Sequence, residues 1–302
     1  MITTPPYLEK GDVIGIVCPA GAMPVEKASE CIRVLNEEWG FRTKVGKTLG
    51  NSFNYFSGTD DERLNDFQQM LDDDEVKAIL CARGGYGTSR IIDRLNFEKF
   101  KENPKWIIGY SDVTVLLSHI YRNYKITSLH GPMAAAFNEE GYRNEFVQSL
   151  KDALEGRKIK YTIGTHEMNR RGEAIGELTG GNLSILTHLI GSSSEPKTKG
   201  RILFIEDVGE YYYKIDRMIL QLKRAGKLEN LAGLIIGGFT DMQDTTLKFG
   251  QDVYSLIFDK IKEYDYPVCF NFPVGHQTNN YALKVGAGFK LKVGKTKVVL
   301  EE

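Results

Sequence analysis

The segment KWIIGYSDVTVLLSHIYRN, residues 105–123, joins two kinds of secondary structure through a short polar turn. The apolar run KWII predicts a buried strand, because strands of a parallel sheet are covered on both faces and contain continuous apolar runs. After the turn GYSD, apolar residues recur every three or four positions, which predicts a helix with one buried face. These residues are Val113, Leu116, Leu117, Ile120 and Tyr121. The segment therefore predicts a strand, a turn and a helix in direct succession.

The same order of strand and helix repeats on either side of this segment. Further strands are predicted by the runs VIGIV (13–17), FRTKVG (41–46), VKAILCA (76–82) and ITSLHG (126–131). Helices are predicted by the apolar spacing of the segment opened by Pro24, of DDERLNDFQQML (60–71), of TSRIIDRL (88–95) and of EEGYRNEFVQSLKDALEG (139–156). Alternation of this kind predicts a parallel sheet with helices on both faces.

A polar segment without a sustained period, residues 157–175, follows this half of the chain, and we predict it to be a linker. Beyond it the alternation resumes, with helices predicted at 180–191, 212–226 and 252–264 and strands at 201–205, 231–239 and 267–272. The final stretch, 281–302, has the glycine-punctuated alternation typical of antiparallel strands. We therefore predict an N-terminal α/β domain over residues 1–156 and a smaller C-terminal α/β domain over 176–302 with a β-rich tail.

The charge and hydropathy of the chain argue against two classes of partner. Thirty-nine Lys and Arg residues stand against forty Asp and Glu residues, a formal net charge of −1, so no positive field is expected to attract nucleic acid. The N-terminal sequence lacks the features of a secretory signal, and no apolar run reaches the ~20 residues that cross a bilayer. We therefore predict a cytoplasmic protein that binds neither nucleic acid nor membrane.

The cysteines and histidines form no recognisable disulfide or metal pattern. Cys18, Cys31, Cys81 and Cys269 lie apart in apolar surroundings with no CxxC pair, which predicts reduced and buried thiols. The segment THEMN contains His166 but no second histidine four positions on, so it lacks zinc-ligand spacing. We therefore predict neither a metal nor an organic cofactor.

Chemically capable residues follow four of the predicted strands, at the end where open parallel sheets bind their ligands. The loop RGGYG, residues 83–87, follows one strand and Ser111 follows another. Glu206 and Asp207 follow a third, and His276 lies just beyond the last. A hydroxyl, a carboxylate, an imidazole and a glycine-rich turn are the components of a serine hydrolase.

Each of these groups has a role in such a hydrolase. Neutral His276 would take the proton of Ser111, because imidazole is the base whose unperturbed pKa is closest to neutral pH. Glu206 would hold the other ring nitrogen and stabilise the imidazolium. The main-chain N–H groups of Asp112 and of a glycine in RGGYG would face the developing oxyanion. The candidate glycines are Gly84 and Gly85.

Simpler interpretations compete with these assignments. Ser111 and Asp112 before an amphipathic helix are a good N-cap pair, and GYSDV lacks the second glycine of the G-x-S-x-G motif. Glu206 could be a solvated residue at the edge of a strand, and His130, at the end of another strand, is an alternative base. The loop RGGYG could cradle a phosphate, although it lacks the Lys-Ser/Thr of a P-loop. The carboxylates that could replace Glu206 are Asp207, Glu210 and Asp216.

Seven sequence blocks, in their order along the chain, resemble those of the LD-carboxypeptidase family, serine peptidases that include muramoyltetrapeptide carboxypeptidases and microcin C self-immunity hydrolases. The blocks are GDVIGIVCPAG, ARGGYGTSRIIDRLN, IIGYSDVTVLL, LHGPM, GELTGGNLSIL, RILFIEDVGEYYYKIDRMILQL and FPVGHQTNN. The resemblance covers nearly the whole chain, and seven ordered blocks are far more specific than any single one.

The resemblance implies a parallel-sheet N-terminal domain, a smaller C-terminal α/β domain and a Ser-Glu-His triad at their cleft. The matching residues are Ser111, Glu206 and His276, with oxyanion amides from Asp112 and from Gly84 or Gly85. It also implies release of the terminal D-alanine from a murein tetrapeptide in peptidoglycan recycling, without a cofactor, by an enzyme that can form a homodimer. Two alternatives stay open: an immunity-type hydrolase of aminoacyl-nucleotide conjugates, which shares the triad, and a non-catalytic module that binds a muropeptide.

Overall fold

The computed structural model describes residues 2–302, which form two β-sheets with helices packed around them. The strands are β1 Val13–Val17, β2 Arg42–Val45, β3 Val76–Cys81, β4 Trp106–Ile108, β5 Ser128–His130, β6 Lys160–Gly164, β7 Gly172–Asn182, β8 Ile202–Val208, β9 Gly233–Thr240, β10 Val268–Cys269, β11 Leu283–Val285, β12 Gly288–Val293 and β13 Lys297–Glu301. The α-helices are α1 Ser29–Arg33, α2 Asp60–Asp72, α3 Glu98–Glu102, α4 Thr114–Tyr124, α5 Glu145–Leu154, α6 Leu183–His188, α7 Tyr212–Arg224 and α8 Val253–Ile261. Within residues 2–302 a helix suited to span a bilayer is absent.

The first sheet has the strand order β11-β5-β4-β3-β1-β2. From β5 to β2 the neighbouring strands run parallel, with Ile16 opposite Leu80 and Ile79 opposite Ile107. Every residue of β1 and β4 is buried, as expected for strands covered by helices on both faces. The predicted strand VIGIV and the predicted parallel sheet are thus confirmed.

Helix α2 begins at a capping arrangement that the sequence itself supplies. The Thr59 hydroxyl accepts a hydrogen bond from the backbone N–H of Glu62, and the Glu62 carboxylate accepts one of 2.7 Å from the backbone N–H of Thr59. This reciprocal bonding satisfies two N–H groups that the helix itself leaves unpaired, and such a cap contributes about 1 kcal/mol. The buried residues Phe67 and Leu71 face the first sheet, which α2 covers at β1 and β3.

Helix α4 is buried more completely than its apolar stripe predicts. It packs against β5 of the first sheet and against β7 of the second. Positions between the stripe residues are therefore buried as well, including Val115, Ser118 and His119. The hydroxyl of Ser118 donates a hydrogen bond of 2.7 Å to the carbonyl of Ser194, so its burial leaves no unpaired donor. The prediction of a single buried face is wrong, because two sheets cover this helix from different sides.

The second sheet has the strand order β10-β9-β8-β7-β12-β13-β6. Its first four strands run parallel, and each later pair, from β7 to β6, is antiparallel. Phe204 in β8 and Ile235 in β9 are fully buried. The predicted C-terminal α/β architecture with a β-rich tail is confirmed.

The segment predicted as a linker, residues 157–175, has regular structure. It contains β6 and the first residues of β7, and β6 pairs with β13 at the edge of the second sheet. Apolar periodicity missed β6 because Tyr161 is its only buried residue. In addition, β11 joins the first sheet, where Leu283 lies antiparallel to His130. Much of this segment is therefore part of the second sheet, and the division of the chain into two domains joined by a linker stays a prediction.

Three predicted helices are shorter than their sequence patterns. The segment TSRIIDRL forms two 3₁₀ turns, Thr88–Arg90 and Ile92–Arg94. Helix α5 begins at Glu145 because the Asn144 side chain accepts a hydrogen bond from a backbone N–H of its first turn. In the same way Asn182 caps α6, and the two glycines before it belong to β7. Asparagine caps fix these starts, and apolar spacing does not reveal them.

All four cysteines are free and buried. Burial raises the pKa of Cys18 to about 12, so its thiol stays neutral at physiological pH. The prediction of buried, reduced thiols is confirmed.

Candidate active site

Ser111 lies in a sharp turn between β4 and α4. Its φ is +63°, in the left-handed region that residues other than glycine rarely adopt, and it begins the 3₁₀ turn Ser111–Val113 that leads into α4. A side chain held in this conformation costs about 1–3 kcal/mol, and such strain is typical of a nucleophile turn between a strand and a helix. The turn holds the half-buried Ser111 side chain at the carboxyl end of β4.

The hydroxyl of Ser111 does not cap α4. Neither end of the 3₁₀ turn has a side-chain capping bond, and within residues 2–302 the Ser111 hydroxyl forms no hydrogen bond to the chain. The 3₁₀ turn separates Ser111 from Thr114, the first residue of α4, and the Thr114 N–H already bonds to the backbone carbonyls of Ser111 and Asp112. The interpretation of Ser111 as an N-cap is therefore wrong.

The carboxylate of Asp112 joins the nucleophile turn to the loop RGGYG. It is 1% exposed and accepts a hydrogen bond of 2.8 Å from the backbone N–H of Thr88, the residue after the loop. Burial raises the pKa of Asp112 despite this bond and despite the charge of Arg63. The contact fixes, relative to each other, the two backbone segments that carry the candidate oxyanion N–H groups.

Gly84 is the residue of the loop that touches Ser111. A Cβ at Gly84 would lie 2.8 Å from Ser111 Cβ and 3.0 Å from its Oγ, so the absence of a side chain permits this approach. Gly85 has a φ of +101°, and a Cβ there would lie 2.8 Å from the hydroxyl of Tyr55 instead. Within residues 2–302 the N–H groups of both glycines donate no hydrogen bond to the backbone. Of the two, Gly84 lies against the serine.

Glu206 is a fully buried residue within β8. Its Oε2 accepts hydrogen bonds from Nδ1 of His276 at 2.6 Å and from the His276 backbone N–H at 3.1 Å. Gly275, with a φ of +107°, permits this approach, since a Cβ there would lie 2.5 Å from the Glu206 side chain. The strand continues through Glu206 to Val208, so its interpretation as a solvated residue at a strand edge is wrong.

The ring of His276 is arranged to act as a base. Burial lowers the pKa of His276, but the hydrogen bond and charge of Glu206, together with the charge of Asp207, raise it by more, so its pKa lies above the ordinary 6.5. An ionised carboxylate can only accept hydrogen bonds, so Nδ1 carries the proton and neutral His276 has Nε2 as its acceptor. The side chain is 18% exposed, which leaves the ring accessible to a ligand.

The competing carboxylates have other partners. Asp207 accepts hydrogen bonds from the side chain of Asn182 and from a backbone N–H of α6, and burial together with the charge of Glu206 raises the pKa of Asp207 to about 7. Glu210 and Asp216 each form an ion pair with a lysine, at 3.4 and 3.1 Å. Among the described residues, Glu206 is therefore the carboxylate bonded to the histidine.

His130 is unsuited to act as the base because it is fully buried. Its ring packs edge-on against Phe204, with 5.0 Å between ring centres, and burial lowers the pKa of His130 to about 4. Neither ring nitrogen has a hydrogen-bond partner within residues 2–302. A ring without solvent access cannot exchange protons with an incoming substrate.

Tyr110 connects the nucleophile turn with the histidine loop. Its ring lies edge-to-face with that of His276, at 4.9 Å between centres, and Ser111 follows it directly. No hydrogen bond joins Ser111 and His276 in the part of the chain described, and such bonds often tighten only in a substrate complex. The structure thus brings Glu206 to His276 and Gly84 to Ser111, and Tyr110 links the two groups. Sequence reasoning missed Tyr110, whose only signal was its place before the serine.

Tyr110 also lines two cavities. The larger has a volume of about 600 Å³, and residues such as Asn138, Glu139, Glu140 and Gln277 line it. The smaller has a volume of about 260 Å³, and residues such as Met23, Lys27, Arg83 and Met133 line it. Within residues 2–302 no cluster of three or more side chains suited to bind a metal is found. The arrangement provides a hydroxyl, a carboxylate-bound imidazole and two cavities that Tyr110 lines.

Two protein-family models match the chain. Residues 14–131 match the LD-carboxypeptidase N-terminal domain, and residues 175–291 match the LD-carboxypeptidase C-terminal domain. The first range includes Ser111 and the loop RGGYG, and the second includes Glu206 and His276. Together the ranges cover more than half of the chain.

A sequence relative and two solved structures extend this match. A probable murein peptide carboxypeptidase of Bacillus subtilis (strain 168) is 36% identical over 300 residues, which cover 98% of this chain and 94% of the relative. The crystal structure of muramoyltetrapeptide carboxypeptidase from Oxalobacter formigenes has a TM-score of 0.87 at 26% identity, covering 96% of this chain and 98% of that one. The microcin C7 self-immunity protein in complex with aspartyl sulfamoyl adenosine has a TM-score of 0.85 at 23% identity, covering 99% and 98% of the two chains, and shares the fold.

Proposed function

The chain belongs to the LD-carboxypeptidase family of serine peptidases, and from this membership we propose that it releases the terminal D-alanine of a murein tetrapeptide. The bond cut lies between the L-centre of a diamino acid and D-alanine. The observation that carries the proposal is the 2.6 Å hydrogen bond between Glu206 and His276, whose ring packs against the residue preceding Ser111.

In the proposed mechanism Ser111, Glu206 and His276 act as a triad. Ser111 Oγ attacks the scissile carbonyl carbon while His276 Nε2 accepts its proton, and Glu206 stabilises the imidazolium. The imidazolium donates that proton to the leaving nitrogen, so the C–N bond breaks and D-alanine departs. His276 then takes a proton from a water that attacks the acyl-enzyme, and it returns the proton to Ser111 as the shortened peptide leaves.

The N–H groups of Gly84 and Asp112 are the proposed oxyanion donors. Gly84 lies against Ser111, Asp112 follows it in the chain, and the bond between Asp112 and Thr88 holds their segments together. Donors fixed before the reaction need not reorganise as negative charge develops on the carbonyl oxygen, and one such donor typically contributes about 10²–10³-fold to kcat.

We expect Gly84→Ala to lower kcat by about a hundredfold, with a smaller change in KM. The added Cβ would overlap Cβ and Oγ of Ser111, which forces the loop and the serine apart and moves the N–H away from the oxyanion. Steady-state kinetics of D-alanine release measures this effect. Gly164→Ala is the matched control, because a Cβ there has no atom within 4 Å. An unchanged kcat for Gly84→Ala would remove Gly84 from the oxyanion site.

Activity is expected to fall as the pH drops through a value above 6.5. Burial lowers the pKa of His276, but Glu206 together with Asp207 raises it by more, and the ring must be neutral to accept the Ser111 proton. The logarithm of kcat/KM should therefore rise with pH up to that raised pKa and level off beyond it. A profile of kcat/KM against pH measures the midpoint, and a midpoint well below 6.5 would exclude His276 as the base.

A comparison of two substrates tests the proposed function. The purified protein is incubated with murein tetrapeptide and, separately, with an aminoacyl sulfamoyl adenylate. We expect release of D-alanine from the first at a higher kcat/KM than cleavage of the second. Preferential turnover of the nucleotide compound would replace the carboxypeptidase with an immunity-type hydrolase. Binding of the tetrapeptide without any release would indicate the non-catalytic module.

The cellular role, location and assembly of the protein stay predictions. The predicted role in peptidoglycan recycling, the cytoplasmic location and the homodimer derive from the sequence and its family resemblance, as does the expectation that nucleic acid does not bind. Fractionation of cells and light scattering of the purified chain measure location and assembly directly.

A further inference from the structure

A small cavity beside Ser111 contains positive charge. Its volume is about 260 Å³, and Lys27, Arg83 and Tyr110 are among the residues that line it. Arg83 precedes Gly84, whose backbone lies against Ser111, and Tyr110 precedes Ser111 itself. The basic cavity is therefore lined by the residue before the proposed nucleophile and by the residue before the glycine that contacts it.

Neither cation of the basic cavity has a carboxylate partner. Within residues 2–302 no Asp or Glu oxygen lies within 4.0 Å of the charged nitrogens of Lys27 or Arg83, and no acidic residue lines the cavity. By contrast Arg90, in the adjoining 3₁₀ turn, pairs with Asp60 at 2.8 Å. Arg83 Nη1 donates a hydrogen bond to the carbonyl of Ala22, which fixes the guanidinium and leaves its other N–H groups available.

The larger cavity lined by Tyr110 has the opposite charge. Its volume is about 600 Å³, and its lining includes Glu139 and Glu140 but no lysine or arginine. An anionic group is therefore attracted to the basic cavity and repelled from the larger one. A peptide bound across Tyr110 would thus have its carboxylate end oriented by charge.

We propose that the basic cavity binds the leaving residue of the substrate, with Arg83 as the main ligand of its α-carboxylate and Lys27 as a second positive charge. This inference rests on the proposed carboxypeptidase function and names the group that holds the C-terminus. A planar guanidinium can donate two parallel N–H bonds to a carboxylate, which a lysine cannot do.

The size of the basic cavity restricts which leaving residue of the substrate can bind there. A volume of about 260 Å³ is below the roughly 300–1,000 Å³ of typical ligand sites, so a single small residue fits. Met23, Ala82 and Met133 supply apolar walls against which a methyl group can pack. When a peptide binds with an internal bond at Ser111, no α-carboxylate reaches the basic cavity. The cavity therefore accounts for cleavage of the last residue only.

The test compares two substrates on two enzymes. Wild type and Arg83→Gln are each assayed with murein tetrapeptide and with its C-terminal amide, which has no negative charge. Wild type is expected to prefer the acid by about ten- to a hundredfold in kcat/KM, as is typical of hydrogen bonds to a charged group. Arg83→Gln should lose this preference through slower turnover of the acid, with little change for the amide. Arg224→Gln, an exposed arginine on α7, is the control and should retain the preference.

Two outcomes would overturn the inference while the carboxypeptidase function stands. One is equal turnover of acid and amide by wild type, and the other is an equal loss on both substrates in Arg83→Gln. Failure of wild type to release D-alanine at all would instead remove the proposed function, and the inference with it.

A binding measurement on the wild type covers the case in which Arg83→Gln fails to fold. D-Alanine should inhibit tetrapeptide cleavage at concentrations about tenfold lower than D-alaninamide, because only the former has the carboxylate. Arg83→Lys should retain part of this difference, since it keeps the charge but not the paired N–H groups. Equal inhibition of wild type by the two compounds would overturn the inference.

Discussion

Ser111→Ala is expected to lower kcat for D-alanine release by about 10⁴- to 10⁶-fold. Without the hydroxyl no acyl-enzyme forms, and the remaining turnover comes from water attacking a carbonyl held by the oxyanion N–H groups. KM should change much less, because the other contacts to the peptide stay in place. Long incubations with sensitive detection of D-alanine measure the residual rate. Equal release by wild type and Ser111→Ala would end the triad proposal.

The backbone of Ser111 supplies a matched second variant. With a φ of +63°, this position is unfavourable for alanine but not for glycine. Ser111→Gly should therefore be as inactive as Ser111→Ala yet more stable by about 1 kcal/mol. Thermal unfolding of the two variants measures the difference. A Ser111→Ala protein that is the more stable of the pair would contradict backbone strain at the nucleophile.

Glu206→Gln is expected to produce the second largest loss, about 10³- to 10⁴-fold in kcat. Glutamine keeps the shape of the side chain inside β8 but has no charge to stabilise the imidazolium, and its amide N–H₂ can favour the wrong tautomer of His276. Kinetics of D-alanine release measures the loss. Glu210→Gln is the control, because Glu210 pairs with Lys214 and is expected to retain full activity.

The same variant should shift the pH dependence in a defined direction. In the wild type, burial lowers the pKa of His276, and Glu206 together with Asp207 raises it by more. When the Glu206 carboxylate is replaced by an amide, only the charge of Asp207 still opposes burial, so the pKa of His276 falls. The remaining activity of Glu206→Gln should therefore persist to lower pH than that of the wild type. An unchanged midpoint of the pH profile would show that Glu206 does not set the pKa of His276.

Local sequence patterns were sufficient to locate the central strands and to select the candidate site residues that follow them. Strands such as β1 and β4 are covered on both faces, so every residue is buried and the apolar run is unambiguous. The carboxyl ends of parallel strands meet at one edge of a sheet, which made Ser111 and His276 candidates before any contact was known. The bond between His276 and Glu206 agrees with that expectation.

Strands that pair with segments far away in the sequence could not be predicted from local patterns. The short strand β11 joins β5 although most of the second sheet lies between them along the chain. The exposed edge strand β6 has too few buried residues to produce a period. Periodicity reports how one segment is covered, and it contains no information about which strand lies next to it.

The positions of the charged residues around the site also could not be predicted from local patterns, because they depend on the fold. Lys27 and Arg83 belong to different segments, and each reads as an ordinary surface cation in the sequence. Only the fold brings both of them, together with Tyr110, to the lining of one cavity. Similarly, Asp112 follows the serine as a residue suited to a helix cap, but its carboxylate bonds to Thr88 from the neighbouring loop.

The late position of β11 affects the protein while the ribosome is still making it. Strands β1 to β5 leave the exit tunnel first, and the free edge of β5 has no neighbour until Leu283–Val285 have been translated. An unpaired sheet edge readily recruits strands from other chains, so nascent molecules in one polysome are exposed to mutual aggregation during this interval. The chain closes this edge with β11, so protection of the first sheet waits until most strands of the second sheet have been translated.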